Sequence, residues 1–357
     1  MTTTLHGPAL LDGAIAPAEI DITDDRITAV RALPPEEPAT PGAIPVSGTM
    51  TAAYVDMHCH GGGGTAFTDL DPEAAAATAR HHHGRGSTSL IASLVSMSPT
   101  DLERGVTILA DLVDDGLIDG IHLEGPWLAQ ARCGAHDPAL LRDPDLTEVE
   151  RLLDLGRGHI RQVTLAPERD HGLDLVGWLT SAGVHAAIGH TTASYGEVGR
   201  AVEAGADIAT HLFNGMDPWH HRTPGAVPAL LRAAVRDGLT LELIADGAHL
   251  SDDTVRTVLD LVGPGQVALV SDSMAAAGIG DGPYVLGGLA VLVTDGTARL
   301  QTAPGEPLGS IAGGTSHIAD IVARVVRSGL PLPYAAESAT VTPARLLGLG
   351  DRGVLAV

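Results

Sequence analysis

Eight short apolar runs, interleaved with amphipathic segments, lie between residues 52 and 272, and this rhythm restricts the chain to a parallel sheet covered by helices. The strand expectations are Ala52 to His58, Ser89 to Val95, Gly120 to Glu124, Gln162 to Ala166, Val184 to His190, Ile208 to His211, Leu241 to Asp246 and Val267 to Asp272. Helices are expected over Pro72 to His83, Thr100 to Asp114, Thr147 to Leu155, Ser194 to Ala204, Pro224 to Arg236 and Asp252 to Val262. An open doubly wound sheet fits the same rhythm, but it usually opens on a Gly-x-Gly-x-x-Gly turn after its first strand. Gly61 to Gly64 lacks that spacing, and the chemistry-bearing residues are scattered over many strand ends. A closed (β/α)8 barrel of the TIM type gathers those ends on one rim and is the fold expected.

Residues 1–50 read as short strands, such as Glu19 to Ile22 and Arg26 to Val30, followed by Pro34, Pro35, Pro38, Pro41 and Pro45. They are expected to form part of a small β-sandwich domain built from the chain termini. The barrel is expected over 51–330. Residues 331–357 are expected as a C-terminal helix returning to the small domain, with Gly353 to Val357 as the last strand of an incomplete sheet. Within the barrel region a hairpin-like insertion, Gly282 to Gln301, follows the eighth strand, and helices are expected over Ser316 to Ser328 and Leu332 to Leu347.

The first barrel strand ends in Asp56-Met57-His58-Cys59-His60 and runs straight into four glycines. Alternate side chains of an extended backbone face the same way, so His58 and His60 point together and Cys59 points opposite. Two converging imidazoles at a strand end suit a divalent metal. Glu124, His190, His211 and Asp272 lie at four further strand ends. One Glu and two His can hold a metal and leave a position open for water, and an aspartate beside it can move a proton.

The formal net charge of −23 argues against nucleic acid and anionic membranes as partners, so an anionic substrate would need a local cation. Two cysteines, Cys59 and Cys133, supply no disulfide framework, and neither a signal sequence nor a membrane span is expected. A cytoplasmic setting is the corresponding expectation.

Five motifs occur in order: His122-Leu123-Glu124-Gly125-Pro126-Trp127, Gly189-His190-Thr191-Thr192-Ala193, Thr210-His211-Leu212-Phe213-Asn214-Gly215-Met216, Ala245-Asp246-Gly247-Ala248-His249 and Val270-Ser271-Asp272-Ser273-Met274-Ala275-Ala276-Ala277-Gly278. Together they closely resemble the N-acetylglucosamine-6-phosphate deacetylases of the amidohydrolase superfamily. The resemblance implies Glu124, His190 and His211 as main metal ligands and Asp272 as general acid/base. His58 and His60 match an additional ligand pair found in some members. His136 matches a histidine near the acetyl carbonyl and sugar, while Asn214, the Gly215 backbone, Arg222 and His249 match groups that hold the sugar phosphate. The implied cofactor is zinc, one or two ions per protomer, with iron or another first-row divalent metal as the alternative. A homodimer is the implied assembly, with Arg222 and His249 near the subunit contact.

Some features take blander readings. His81-His82-His83 sits at a helix end before Gly84, where histidines meet terminal carbonyls. Gly61 to Gly64 is read as clearing space for a substrate, and His220-His221 as solvated. Gly314 stands where the family usually carries Ser, in Gly309-Ser310-Ile311-Ala312-Gly313-Gly314. The competing readings are the same chemistry on another epimer, such as N-acetylgalactosamine 6-phosphate, and a barrel that has lost hydrolysis. A dihydroorotase-like enzyme is disfavoured, because those commonly use a carbamylated lysine and this sequence has no Lys.

Overall fold

The computed structural model describes residues 1–350, apart from 304 and 308, and residues 352–355. Its centre is a parallel eight-stranded sheet in sequential order: Tyr54–Cys59, Ser87–Leu94, Gly120–Glu124, Ile160–Leu165, His185–Ile188, Ile208–Ala209, Thr240–Leu243 and Val267–Leu269. The sheet curls until its first and last strands meet. There the backbone N–H of Asp272 donates to His58 O, and those of His60 and Gly61 donate to Ser273 O, each at 2.8 Å. Asp56 reinforces the seam from inside, accepting the Ser271 hydroxyl at 2.5 Å. The expected TIM-type barrel is present.

A helix follows each strand: Pro72–His83, Pro99–Asp114, Leu146–Gly156, Gly172–Ser181, Tyr195–Glu203, Ala226–Asp237, Asp252–Val262 and Ile318–Arg327. Several begin where the sequence supplies a cap. Asp71, Ser98, Asp145, Ser194 and Ser251 each accept a first-turn backbone N–H, satisfying donors that the helix itself cannot. Gly172–Ser181 was not among the sequence expectations. Its preceding residue, His171, makes no side-chain cap bond, and two glycines dilute its pattern. The single helix expected over Leu332 to Leu347 is two helices, Leu332–Ala339 and Val341–Leu346. The break falls at Thr340, because Pro343 has no N–H to continue the ladder.

Besides a two-residue pairing of Gly61–Gly62 with Thr65–Ala66, two larger sheets lie outside the barrel as a β-rich region. One pairs Thr2–Leu11 and Ala14–Thr23 as a hairpin, then adds Arg26–Ala32 and the short Ile44–Pro45. The first two strands are far longer than the short ones expected, because Pro8 and Pro17, which face each other across the pair, obscure their alternation. The other sheet is the insertion, resolved into Gly282–Leu286, Leu289–Thr294 and Thr297–Leu300. Its Leu286, Val291, Val293 and Ala298 pack against Val95, Met274 and Ala312 on the barrel rim. The expected last strand finds no support in Gly353–Leu355, which are not extended in a sheet, and residues 356 and 357 lie outside those described.

The helix–barrel interface is a continuous apolar layer of Leu, Ile, Val and Ala. Most of it is aliphatic because the sequence has so few aromatics, Phe67 and Trp127 being the large buried exceptions. That rigid layer fixes the strand ends, which is where the chemistry lies.

Candidate active site

His190, His211 and Asp272 each leave their strand with a positive φ (46°, 28° and 45°). For residues with a side chain this left-handed backbone is strained, and it turns all three side chains off the sheet ladder and into the mouth of the barrel. His58 and His60 reach the same point from the first strand, and Glu124 from the third.

Glu124 stands between two groups of donors. Its Oε1 lies 3.0 Å from His190 Nε2 and 2.9 Å from His211 Nε2. Its Oε2 lies 3.1 Å from His60 Nε2 and 3.6 Å from His58 Nε2, and 3.4 Å from His136 Nε2. Asp272 Oδ1 joins the second group, 3.2 Å from His60 Nε2 and 3.4 Å from His58 Nε2. One carboxylate therefore bridges a Glu124–His190–His211 cluster and a His58–His60–Glu124–Asp272 cluster, both buried.

Hydrogen bonds behind the rings set their tautomers. Nδ1 of His60 donates to Ser93 O at 3.1 Å, Nδ1 of His190 to Arg132 O at 2.7 Å, and Nδ1 of His58 to Glu242 Oε2 at 3.0 Å. With the proton held on Nδ1, each ring turns the lone pair of Nε2 inward. His58 Nε2 and His60 Nε2 are only 3.1 Å apart, an opposed pair of lone pairs that a cation relieves. The field says the same. Burial alone would depress the His58 imidazolium, yet Glu242, Asp272 and Glu124 hold it well above its ordinary value. Burial likewise opposes the charge on His60, but Asp272 and Glu124 push it up to about 9. Burial raises the Glu124 carboxyl, but His58 and His136 outweigh it and hold it well below the usual range. Oxygen and imidazole donors that demand positive charge between them fit a divalent metal.

His136 is set the other way. The Ser96 backbone N–H can only donate, and it donates to His136 Nδ1 at 3.1 Å. Burial holds this ring below its ordinary value against the pull of Glu124, so it is neutral with its proton on Nε2. It thus offers the site a hydrogen-bond donor rather than a lone pair. Asp272 is ionised: burial raises its carboxyl, but His58 and His60 bring it down to about 2.

A pocket of about 360 Å³ opens above these groups, lined by His60, Glu124, His136, His190, His211 and Asp272, together with Asn214, Gly215 and His249. Asp246 orients His249, accepting from its Nδ1 and its backbone N–H at 2.8 Å each. Arg222 is the exception among the expected site residues. It is exposed, its Nη1 lies 2.8 Å from His221 Nε2, and it does not line the pocket. The cation in the lining is Arg132, whose guanidinium pairs with Asp217.

Gly61 to Gly64 does not line the pocket, contrary to expectation. A Cβ on Gly62 would lie 2.6 Å from His82 Nε2, so the glycines admit the neighbouring histidines rather than a substrate. His82, expected to meet its own helix end, instead holds Gly61 O at 3.0 Å. Gly314 is required by close approach, since a Cβ there would meet Ser271 O at 2.3 Å. Cys59 packs in the barrel wall beside His82, and burial pushes its thiol up to about 12.

Sequence reasoning missed the buried layer beneath the rim. His122 is bonded to Ser93 Oγ at 2.9 Å and Thr164 Oγ1 at 2.8 Å, and Glu242 holds His58. The two-residue alternation carried a signal, because His122 shares a strand face with Glu124.

A sequence model of the amidohydrolase family matches residues 49–357. An aspartate-to-alanine variant of the N-acetyl-D-glucosamine-6-phosphate deacetylase from Mycobacterium smegmatis, solved with N-acetyl-D-glucosamine-6-phosphate, superposes with a TM-score of 0.89. It is 42% identical, over 97% of this chain and 90% of that one. The N-acetylgalactosamine-6-phosphate deacetylase of Escherichia coli O157:H7 is 30% identical over 98% of this chain and 90% of its own length. The N-acetylglucosamine-6-phosphate deacetylase of Bacillus subtilis is 32% identical over 79% of this chain and 72% of its own length.

Proposed function

The chain belongs to the amidohydrolase family, and from that membership we propose that it hydrolyses the acetamide of N-acetylglucosamine 6-phosphate to glucosamine 6-phosphate and acetate. The observation that carries the reading is the bridging Glu124, with four potential metal-binding imidazoles and the proton-bearing His136 around it, together with an ionised Asp272. Glu124, His190 and His211 would hold one divalent ion, and His58, His60, Glu124 and Asp272 a second, with zinc the natural choice for such donors. A metal there supplies acidification of water and polarisation of a carbonyl.

The protein's own residues supply the rest. Asp272 takes a proton from the attacking water as its oxygen adds to the acetamide carbon. Nε2–H of His136 donates to the carbonyl oxygen as negative charge gathers on it. When the C–N bond breaks, Asp272 returns the proton to the departing amine and acetate leaves. Asn214, Gly215 and His249 line the same pocket and would meet the sugar and its phosphate. Arg222, exposed beside Trp219, suits a homodimer in which it completes the phosphate site of the neighbouring protomer. A phosphorylated substrate supports a cytoplasmic setting, and no helix among the described residues is long and apolar enough to cross a membrane.

The galactosamine epimer is the second reading, favoured by the near-complete overlap with the Escherichia coli relative. Acetate release from both sugar phosphates, with and without chelator and with metal content measured on the same sample, tests both. Chelator-sensitive release, faster from the glucosamine compound, is expected. Faster release from the other epimer would favour the second reading, and metal-loaded protein inert on both would overturn the proposal.

A further inference from the structure

Glu242 lies wholly buried in the barrel interior, beneath the rim and outside the pocket lining. Three N–H groups converge on its carboxylate. His58 Nδ1 reaches Oε2 at 3.0 Å, the His211 backbone N–H reaches Oε2 at 3.2 Å, and Gln162 Nε2 reaches Oε1 at 2.7 Å. Among the described residues it forms no ion pair with an arginine, its one charge-bearing neighbour being His58. A buried carboxylate is costly unless a positive charge compensates it. Here the compensation can arrive only through the His58 ring, from whatever sits at Nε2 on its far side.

The same oxygen touches both halves of the site. It fixes the His58 ring of one donor cluster and the backbone of His211 in the other, and these two rings stack with centroids 5.6 Å apart. His211 has no partner on its own Nδ1, whereas His58 has a full carboxylate. The asymmetry puts extra negative charge behind the His58–His60 cluster alone.

We infer that Glu242 is a positioning residue that makes the His58–His60–Glu124–Asp272 cluster a second metal site. It locks the proton of His58 on Nδ1 and strengthens Nε2 as a donor, so that an ion binds beside the one held by Glu124, His190 and His211. The inference rests on the metal-hydrolase reading above and adds to it the residue that sets the number of ions.

The test is titration of metal-free protein with Zn(II) or Co(II), followed by calorimetry, metal analysis and the Co(II) visible spectrum. Glu242→Gln is the informative variant. It is isosteric, it still accepts from His58 and His211, and a turned Gln162 can accept its new N–H through an oxygen that now lacks a partner. Wild type should bind two ions per protomer. Glu242→Gln should keep the first and bind the second about 10–100-fold more weakly, the loss typical when the group behind a metal-binding histidine is changed, here through loss of the carboxylate's charge. Glu242→Leu, if it folds, should lose the second ion altogether. Two ions bound by Glu242→Gln with wild-type affinity would overturn the role of Glu242. A wild type that binds one ion would overturn the inference while leaving the functional reading intact. A wild type that binds none would overturn the functional reading itself.

Discussion

The backbone N–H of Ser96 donates to Nδ1 of His136 at 3.1 Å, and this bond leaves the proton of the neutral His136 ring on Nε2, facing the pocket. Its neighbour His190, whose ring centroid lies 4.8 Å away, presents a lone pair because its Nδ1 donates to Arg132 O. Two imidazoles in contact thus carry opposite functions, set by a backbone N–H behind one and a backbone carbonyl behind the other.

Replacing His136 by Ala should lower kcat about 10²–10³-fold, the usual cost of removing one donor to a developing oxyanion. Glutamine, whose amide can reach a similar point, should retain more activity. Steady-state kinetics on the pair, with metal content unchanged, checks the assignment. Equal losses in both variants would mean that the N–H is not what matters.

Asp272→Asn should abolish turnover by about 10³-fold or more, since an amide can neither take nor return a proton. The Glu124–His190–His211 donors do not include Asp272, so one metal ion should remain bound. Substantial activity in this variant at full metal content would remove Asp272 from the proton path.

The pair Asp246–His249 predicts a pH dependence of phosphate binding. Burial lowers the His249 imidazolium, but Asp246 outweighs it and raises it above its ordinary value. The positive charge is therefore fully present below the ordinary histidine range and is lost as pH rises through the raised value. In Asp246→Asn the raising partner is gone and burial wins, so the charge is lost earlier. KM for the sugar phosphate should match wild type in mild acid, exceed it as pH rises between the variant's value and the raised one, and converge again once both proteins have lost the charge. A KM ratio constant across pH would contradict the pairing.

Arg222→Ala should raise KM for the phosphorylated sugar at least about tenfold, in line with the strength of a charge-assisted hydrogen bond to phosphate. KM for the unphosphorylated sugar should hardly change. Because Arg222 is exposed, mixing the Arg222→Ala and Asp272→Asn variants offers a second check. If Arg222 serves the neighbouring site, mixed dimers carry one site with both defects and one with neither, and partial activity returns. No recovery on verified mixing would argue against action across the interface.

Much of the site was legible because strand periodicity is a strong local signal. Two residues of spacing put His58 and His60 on one face, and the ends of the runs located Glu124, His190, His211 and Asp272. Other features were invisible for stated reasons. The helix Gly172–Ser181 lacks a polar cap, and Arg222 sits on an exposed loop whose direction no pattern specifies. The glycines after His60 were assigned to substrate, yet they admit His81 and His82, contacts made across a separation in sequence that local reading does not bridge.

By itself the sequence determined the barrel and the set of donors on its rim, because alternation of apolar and polar residues is dictated locally by how strands and helices bury one face. Only the tertiary structure decided what those donors do. Whether an imidazole offers a proton or a lone pair depends on the group behind it: Ser96 N–H for His136, Arg132 O for His190, Glu242 for His58. Those partners lie 40, 58 and 184 residues away in the sequence and meet the rings only when the sheet closes. Hydrogen bonds act over about 3 Å, so the chemistry of the rim is written in distances that no spacing along the sequence holds.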